Sequence, residues 1–382
     1  MQSRTVISAL PIFFGLVLAE LSSHSLLAQS KEETEIRKSA VSDSLFQKSA
    51  QACLDPVESR KPETWLSRAR VLSSIMDDPA LSTRHSQIDL PTETANAYLM
   101  LRALDAGQVY RAFSEPGLAG ICIDLGNAGI HALENARLYN SEEDAAIAAK
   151  HLEKTMECYR LTGESKEVVD NEWKKHSLDL NWIRFFYGVA SRKSGDRTRA
   201  SQIYAGLFDE KWPKAVFFLE ASNLADSLGL TPDALQMLQE GEARLPGNID
   251  IGCAIVHLFL KMDKVQEARS QLKKIELNGQ SRFHPEYAYA QGAYFEKKGD
   301  MKKAENCFQI PYKADPNEVS GIRRYAAFLL RKAGQPDSGN PLEAVNEALR
   351  MLQRARELSP ENQTIEREIQ QLILKYPTAG KS

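Results

Sequence analysis

The segment that decides the fold is residues 285–318, which read PEYAYAQGAYFEKKGDMKKAENCFQIPYKADPNE. Gly299 and Asp300 stand near its middle, between two stretches whose apolar residues have helical spacing. A glycine ends a helix in the left-handed conformation, and an aspartate that follows it caps the next helix. Pro316 ends the second stretch, because proline cannot continue a helix. The segment therefore predicts two antiparallel helices joined by a tight turn.

Small and large residues recur at regular distances on both sides of this segment. Alanines follow one another at intervals of 34, 34, 36 and 44 residues, at Ala200, Ala234, Ala268, Ala304 and Ala348. Four residues after each alanine comes a large apolar residue, at Tyr204, Leu238, Leu272, Phe308 and Leu352. Each alanine is preceded by a further position that is small in most segments, at Gly188, Ser222, Val256, Gly292 and Ala326. The pattern predicts five repeats, at 181–214, 215–248, 249–282, 285–318 and 319–362.

These five segments resemble the tetratricopeptide repeat, a helix–turn–helix of 34 residues in which Ala-x3-Phe precedes a proline. The resemblance implies an all-α fold, a right-handed α-solenoid of stacked antiparallel helix pairs with a C-terminal capping helix. Two positions depart from the family pattern. Val256 stands where the family has a small residue, and Pro311 stands inside the second helix where it has alanine. We expect Pro311 to kink its helix near the end.

The rest of the chain divides into segments of different character. Besides the repeats and a signal peptide, the sequence predicts an N-terminal helix and linker at 29–60, degenerate helix pairs at 61–162, a charged connecting segment at 163–180, and a capping helix and tail at 363–382. Within the degenerate region, residues 77–91 are predicted as a loop, and 118–138 and 142–161 as an antiparallel pair. Residues 335–342, rich in Pro, Gly and Asp, predict a loop inside the last repeat. The charged segment marks the expected boundary between two halves.

The first 28 residues have the features of a secretory signal peptide. Arg4 precedes an apolar run from Val6 to Ala19, which is shorter than the roughly 20 residues that span a bilayer. We expect cleavage near Ala28, with an uncleaved signal anchor as the alternative. The prediction is export to the periplasm or the outer membrane of a bacterium, with no transmembrane span after cleavage.

Composition and charge exclude several classes of protein. Of the 382 residues 43% are hydrophobic and 26% charged, which excludes a disordered tail protein and a collagen. The net charge of −3 supplies no basic field, so we predict no nucleic-acid partner. The cysteines are odd in number and widely spaced, at Cys53, Cys122, Cys158, Cys253 and Cys307. This favours buried thiols over a disulfide framework.

The sequence holds no catalytic motif and no zinc-ligand spacing, so we predict no enzyme activity, no metal and no cofactor. His151 and Cys158 share a predicted helix face, where a packed histidine is favoured over a metal site. Four glycines lie within a helical pattern and are not followed by Lys-Ser/Thr, which favours close helix packing over a phosphate loop: Gly117, Gly120, Gly126 and Gly129. A small basic patch has a solvated face as its favoured interpretation and acidic ligand binding as the alternative: Arg323, Arg324, Arg331 and Lys332.

The resemblance also implies a groove for a protein or peptide partner, lined mainly by the first helix of each repeat. Transferring the lining positions to this sequence gives the candidates Asn223, Asp226, Asp250, His257, Glu286, Tyr289, Glu296, Arg323 and Arg331. One subgroup of the family holds a C-terminal carboxylate with a Lys/Asn/Arg clamp. The clamp position that needs lysine reads Phe185, Leu219, Cys253, Tyr289 and Arg323. The clamp is missing, which argues against a co-chaperone of that type.

Three hypotheses for function follow. The first is a non-catalytic protein–protein interaction scaffold of the bacterial cell envelope, which binds its partner in the concave groove as part of an envelope-associated complex. The second is a recognition or accessory subunit of an envelope enzyme or secretion system. The third is a structural array that associates with itself.

Overall fold

The computed structural model describes residues 43–277, 279, 281, 284–335 and 340–377. These residues form helices and turns without a strand, which confirms the predicted all-α class. The described chain divides into two compact units, residues 43–136 with 142–207 (unit 1) and residues 137–141 with 208–377 (unit 2). The predicted signal peptide lies outside the described residues, as do the N-terminal segment to residue 42, positions 336–339 of the predicted loop and the tail from residue 378.

Unit 1 is built from helices that pack as neighbours along the chain. Their bounds are α1 Asp43–Leu54, α2 Pro62–Met76, α3 Pro79–Arg84, α4 Leu90–Leu104, α5 Arg111–Leu138, α6 Glu142–Leu161, α7 Lys166–Lys175, α8 Leu180–Lys193 and α9 Arg197–Asp209. Helix α2 packs on α4, and α6 packs on α8. Helix α5 lies against both α4 and α6, because Gly117 faces Tyr98 and Gly129 faces Leu152. This is the close helix packing that the glycines predict.

Unit 2 continues with α10 Ala215–Ser227, α11 Thr231–Arg244, α12 Ile249–Lys261, α13 Val265–Glu276, α14 Pro285–Lys297, α15 Met301–Ala314, α16 Val319–Ala333, α17 Pro341–Leu358 and α18 Gln363–Lys375. Each of the first four odd–even sets forms a pair: α10 with α11, α12 with α13, α14 with α15 and α16 with α17. Helix α12 also packs on α14, so successive pairs stack. Helix α18 buries Ile365, Ile369 and Leu372 in the core shared with α16 and α17. Helix α15 runs through Pro311 to Ala314, and Pro311 is buried.

The turns between paired helices are closed by residues in the left-handed conformation. Gly195, Gly229 and Gly299 have φ of +92°, +81° and +76°. Asp263 takes the same role between α12 and α13 with φ +58°. Asp300 accepts a hydrogen bond from the backbone N–H of Lys303 at 3.1 Å and so caps α15, as predicted from the sequence.

Within each pair, small residues allow the two helices to approach closely. The repeat alanines have an exposed fraction of 0%, at Ala200, Ala234, Ala268, Ala304 and Ala348. Gly188 faces the ring of Tyr204, and Gly292 faces the ring of Phe308, so closely that a Cβ atom would overlap either ring. These are contacts between the small and large positions that the sequence pattern predicts.

A second contact exchanges its large and small members between neighbouring pairs. Phe218 of α10 packs on Gly241 of α11, whereas Gly252 of α12 packs on Ile275 of α13. A Cβ atom on Gly241 would lie 2.7 Å from the Phe218 ring, and one on Gly252 would lie 3.0 Å from Ile275. Because the summed volume is conserved, both pairs close without a cavity at this level.

The structure corrects two of the predicted boundaries in unit 1. The segment 77–91 is not a continuous loop, since it contains α3, which begins with Pro79. A proline is tolerated at the first helical position because the missing N–H has no partner there in any case. Helix α5 begins at Arg111 rather than at residue 118 and continues through Pro116, which gives up one backbone hydrogen bond.

The charged segment 163–180 is mostly helical rather than a simple connection. Helix α7 occupies 166–175, and it buries Val169 and Trp173 beneath its charged face. Gly163, with φ +55°, leads into it and packs directly on the carboxylate of Glu115. The segment lies inside unit 1, so the expected division into two halves at this point is wrong; the units divide at residues 207 and 208.

No helix among the described residues is long and apolar enough to cross a membrane.

The close contact of Gly188 with Tyr204 makes a stability prediction. Gly188→Ala places a methyl group within the Tyr204 ring, so we expect the free energy of unfolding to fall by about 1–3 kcal/mol. Gly120→Ala in α5 of the same unit is the control, since no atom lies within 4 Å of its Cβ position. That change removes a helix-interior glycine and should raise stability by about 0.5–1 kcal/mol. Urea unfolding followed by circular dichroism measures both; equal effects would contradict the proposed contact.

Candidate partner-binding concavity

Unit 2 contains an open concavity of about 940 Å³ between helices α12, α14 and α16. Its base is apolar, formed by Leu260, Tyr289, Ala293, Phe308 and Ala327. Its edges carry the charged residues Lys261, Glu286, Glu296, Lys297, Arg324 and Arg331, together with His257. In this article "the concavity" means these thirteen residues or fewer of them, all on unit 2.

A series of ion pairs links each first helix to the next one along this surface. Lys261 donates to Asp226 at 2.6 Å, and Arg331 donates two hydrogen bonds to Glu296 at 2.7 and 3.0 Å. Lys297 pairs with Asp263 between them. The partners of each pair are 34 or 35 residues apart, so the period of the repeat sets the spacing. We call these three pairs the charge ladder.

Arg324 closes the concavity at the opposite side. Its guanidinium donates to Glu286 at 2.8 Å and lies 4.5 Å above the ring of Tyr289. A cation over an aromatic face and an ion pair together restrict the guanidinium to one position. Burial raises the pKa of Tyr289 to about 12, against the opposing charge of Arg324. The phenol is therefore neutral at pH 7 and retains its proton for hydrogen bonding.

His257 stands at the edge of the concavity with part of its side chain exposed. Surrounding side chains remove part of the ring's hydration and lower the pKa of His257, with Glu286 opposing and Arg324 adding to the shift. The imidazole is therefore neutral at pH 7, and it offers one hydrogen-bond donor and one acceptor to a ligand.

The structure brings together five of the nine candidate groove residues. His257, Glu286, Tyr289, Glu296 and Arg331 all line the concavity. Whether they bind a partner stays a prediction, which the experiment proposed below tests.

The other four candidates lie elsewhere on unit 2. Asn223 is exposed on α10, and Asp226 is engaged by Lys261 and by the hydroxyl of Thr231, which donates at 2.7 Å. Asp250 lies 3.5 Å from His284, and burial raises the pKa of its carboxyl.

Arg323 is the fourth, and it points away from the concavity. It donates two hydrogen bonds to Glu368 of α18, at 2.6 and 3.1 Å. The neighbouring Arg324 takes the place in the wall of the concavity that the repeat register gives to Arg323. The register fails here because the pair α16–α17 is followed by a different element, α18, which supplies its own carboxylate.

The basic patch of α16 is compensated in full. Arg323 pairs with Glu368, Arg324 with Glu286, Arg331 with Glu296 and Lys332 with Glu305, at 2.6, 2.8, 2.7 and 2.8 Å. Acidic ligand binding by a free basic surface is therefore not supported. The sequence does not single out Lys261 or Lys297, although the recurrence of an acid and a cation 34 or 35 residues apart is visible in it.

The two chemical sites weighed from the sequence have structural explanations. His151 contacts both oxygens of Asp89 at 3.2 Å, and Lys150 donates to the same carboxylate at 2.7 Å. Within the described residues, no group of three or more His, Cys, Asp or Glu side chains is arranged to hold a metal ion. All five cysteines are free thiols, four of them buried and Cys53 partly buried.

Comparison with known proteins bears on the fold alone. No protein-family model matches the chain, and no curated protein matches it in sequence. Among solved structures, the chain is similar to MamA (16% identity, TM-score 0.31, covering 46% of this chain and 95% of that one). It is also similar to a tetratricopeptide repeat protein from Parabacteroides merdae (12%, 0.39, 64% and 99%) and to human IFIT1 in its dimer with PPP-AAAA (13%, 0.43, 96% and 74%). The chain has tetratricopeptide-type helix pairs. At these TM-scores the likenesses support no argument about function.

Asp124 on α5 is a perturbed acid outside the concavity. Burial raises its pKa to about 6, and the nearby carboxylate of Asp77 adds to the shift. An aspartate that keeps its proton in the folded state to a pH above its unfolded pKa of about 4 stabilises the fold at low pH. That stabilisation is complete below pH 4 and is lost as the pH rises through 6.

Asp124→Asn should therefore become relatively more stabilising as the pH rises from 4 to 7. The free energy of unfolding of the variant minus that of the wild type should increase by about 2–3 kcal/mol across this interval. Urea unfolding at a series of pH values measures the difference. Asp77→Asn in the wild-type background should move the transition to lower pH, because it removes the neighbouring charge. A difference that does not vary with pH would contradict the assignment.

Proposed function

We propose that this protein is a non-catalytic interaction scaffold that binds an extended segment of a partner protein in the concavity. The observation that supports the proposal is an open surface of about 940 Å³ with an apolar base and polar edges. Such a surface can bury apolar side chains of a partner while satisfying its backbone groups at the edges.

The aromatic base supplies the expected centre of the binding energy. Tyr289 and Phe308 lie side by side, with ring centroids 6.0 Å apart, and Ala293 and Ala327 leave space above them. Buried aromatic residues dominate the energy of most protein interfaces. A partner segment with one or two apolar anchors therefore fits this surface best.

The paired charges at the edges favour recognition by shape and hydrogen bonding over net charge. Each cation at the edge of the concavity has a carboxylate partner, at Asp226, Asp263, Glu286 or Glu296. An acidic or basic partner would have to break these pairs to gain new ones. We therefore expect partner binding to depend only weakly on ionic strength.

A steric change at the base provides the direct test. Ala327 is exposed within the concavity, so Ala327→Arg should fill the surface without disturbing the helix. We expect partner capture from cells, measured by crosslinking and pull-down of the tagged protein, to fall at least tenfold, which corresponds to about 1.4 kcal/mol or more.

Ala146→Arg is the matched control, since it makes the same change at an exposed alanine of α6 in unit 1. It should capture the same partner as the wild type. Equal capture by the Ala327→Arg protein, with its helical content intact by circular dichroism, would place binding outside the concavity and contradict the proposal.

We also propose that the scaffold works in the bacterial cell envelope, in the periplasm or at the outer membrane. The proposal rests on the signal-like features of residues 1–28. Protein isolated from periplasmic and membrane fractions should begin near Gln29 by N-terminal sequencing. Recovery of the chain from the cytosol with residues 1–28 intact would contradict this part of the proposal.

A further inference from the structure

A second open pocket, of about 640 Å³, lies within unit 1 between α6, α8 and the starts of α7 and α9. Four cations line it, Arg160, Lys166, Arg184 and Arg199, together with the acids Glu153 and Glu157. We call these six residues the cationic pocket. It is separate from the concavity of unit 2, and it does not belong to the candidate groove.

Both acids of the cationic pocket are already compensated. Arg199 lies 3.6 Å from Glu153, and the hydroxyl of Tyr187 hydrogen bonds to the same carboxylate. Lys154, which is outside the pocket, donates to Glu157 at 2.6 Å. The negative charge in the wall is therefore spent on neighbours and does not neutralise the remaining cations.

Lys166 is held in place without a counter-charge. Its ammonium lies 4.7 Å from the centroid of the Tyr159 ring, which stacks on Trp173 at 5.3 Å. The hydroxyl of Tyr159 donates to Asp170 at 2.7 Å, so the ring cannot turn away. Cation–π contact orients an ammonium but leaves its charge uncompensated.

Arg160 extends this positive surface from the end of α6. Among the described residues, no carboxylate lies within ion-pair distance of Arg160 or of Lys166. Arg184 adds a third positive group to the wall and donates to the amide oxygen of Asn181 at 3.2 Å. The concavity of unit 2 differs in this respect, because each of its edge cations has a carboxylate partner.

We propose that the cationic pocket binds a small organic anion through a carboxylate or phosphate group, held between Arg160 and Lys166. A volume of about 640 Å³ accommodates a ligand of metabolite size. Glu153 and Glu157 in the same wall disfavour a long polyanion, which would have to pass close to both. Guanidinium and ammonium groups without partners are the donors that bind such oxyanions most strongly.

Titration of the purified full chain with inorganic phosphate and, separately, with citrate tests the proposal. Isothermal titration calorimetry at constant ionic strength, adjusted with sodium chloride, should show saturable binding of at least one of the two. Phosphate alone would identify the phosphate class, citrate alone the carboxylate class, and both an oxyanion site without preference. Binding should weaken as chloride concentration rises, because exposed charges are screened.

Two variants connect the binding to this pocket. Arg160→Gln and Lys166→Gln should each weaken binding about tenfold, and the double variant more. Arg160→Gln leaves the contact of Lys166 with Tyr159 intact, so it controls for loss of folding. Lys48→Gln, at an exposed cation of α1, should bind like the wild type.

Absence of saturable binding for both anions would overturn the proposal, as would equal binding by the Arg160→Gln, Lys166→Gln and wild-type proteins. None of these results depends on the concavity of unit 2. Capture of a protein partner that survives Arg160→Gln but not Ala327→Arg would support the proposed scaffold independently.

Discussion

The close approach of paired helices at residues with little or no side chain is the constraint on which the rest of the structure depends. Ala304 is fully buried and Gly292 lies directly on the ring of Phe308, so that α14 and α15 meet without a gap. The separation of two packed helices follows from the side chains between them. A larger residue at these points would push the pair apart, and every later pair would be displaced with it. The exchange of Phe218–Gly241 for Gly252–Ile275 shows that volume, rather than residue identity, is what is conserved.

That regular spacing positions the charge ladder. Residues 34 or 35 positions apart come within hydrogen-bond distance because successive pairs stack at a constant separation, as Lys261 does with Asp226. Partly exposed ion pairs contribute about 0–1 kcal/mol each, so the ladder adds little to stability. Its effect is to hold long side chains in one position and to leave the apolar base around Tyr289 open. The surface offered to a partner is therefore defined by what the charges do not cover.

Two concavities with opposite electrostatic character follow from the same kind of helix packing. In unit 2, the guanidinium of Arg324 is committed to Glu286 and to the Tyr289 ring. In unit 1, Lys166 rests on an aromatic ring and has no carboxylate partner among the described residues. An ion pair satisfies a cation, whereas a ring only orients it, and the unpaired cation remains available to a ligand. The distinction between partner surface and anion pocket rests on this difference.

The sequence by itself determined the helix pairs, because the signals that define them are local. A glycine with positive φ, a capping aspartate and an alanine repeated every 34 residues act within one or two turns of helix, and Gly299, Asp300 and Ala304 are found as expected. The tertiary structure decided which polar residues meet. Arg323 and Arg324 are adjacent in sequence, yet one bonds to Glu368 and the other lines the concavity. A repeat register cannot distinguish them, because the direction of each side chain depends on the carboxylates that neighbouring helices bring within reach.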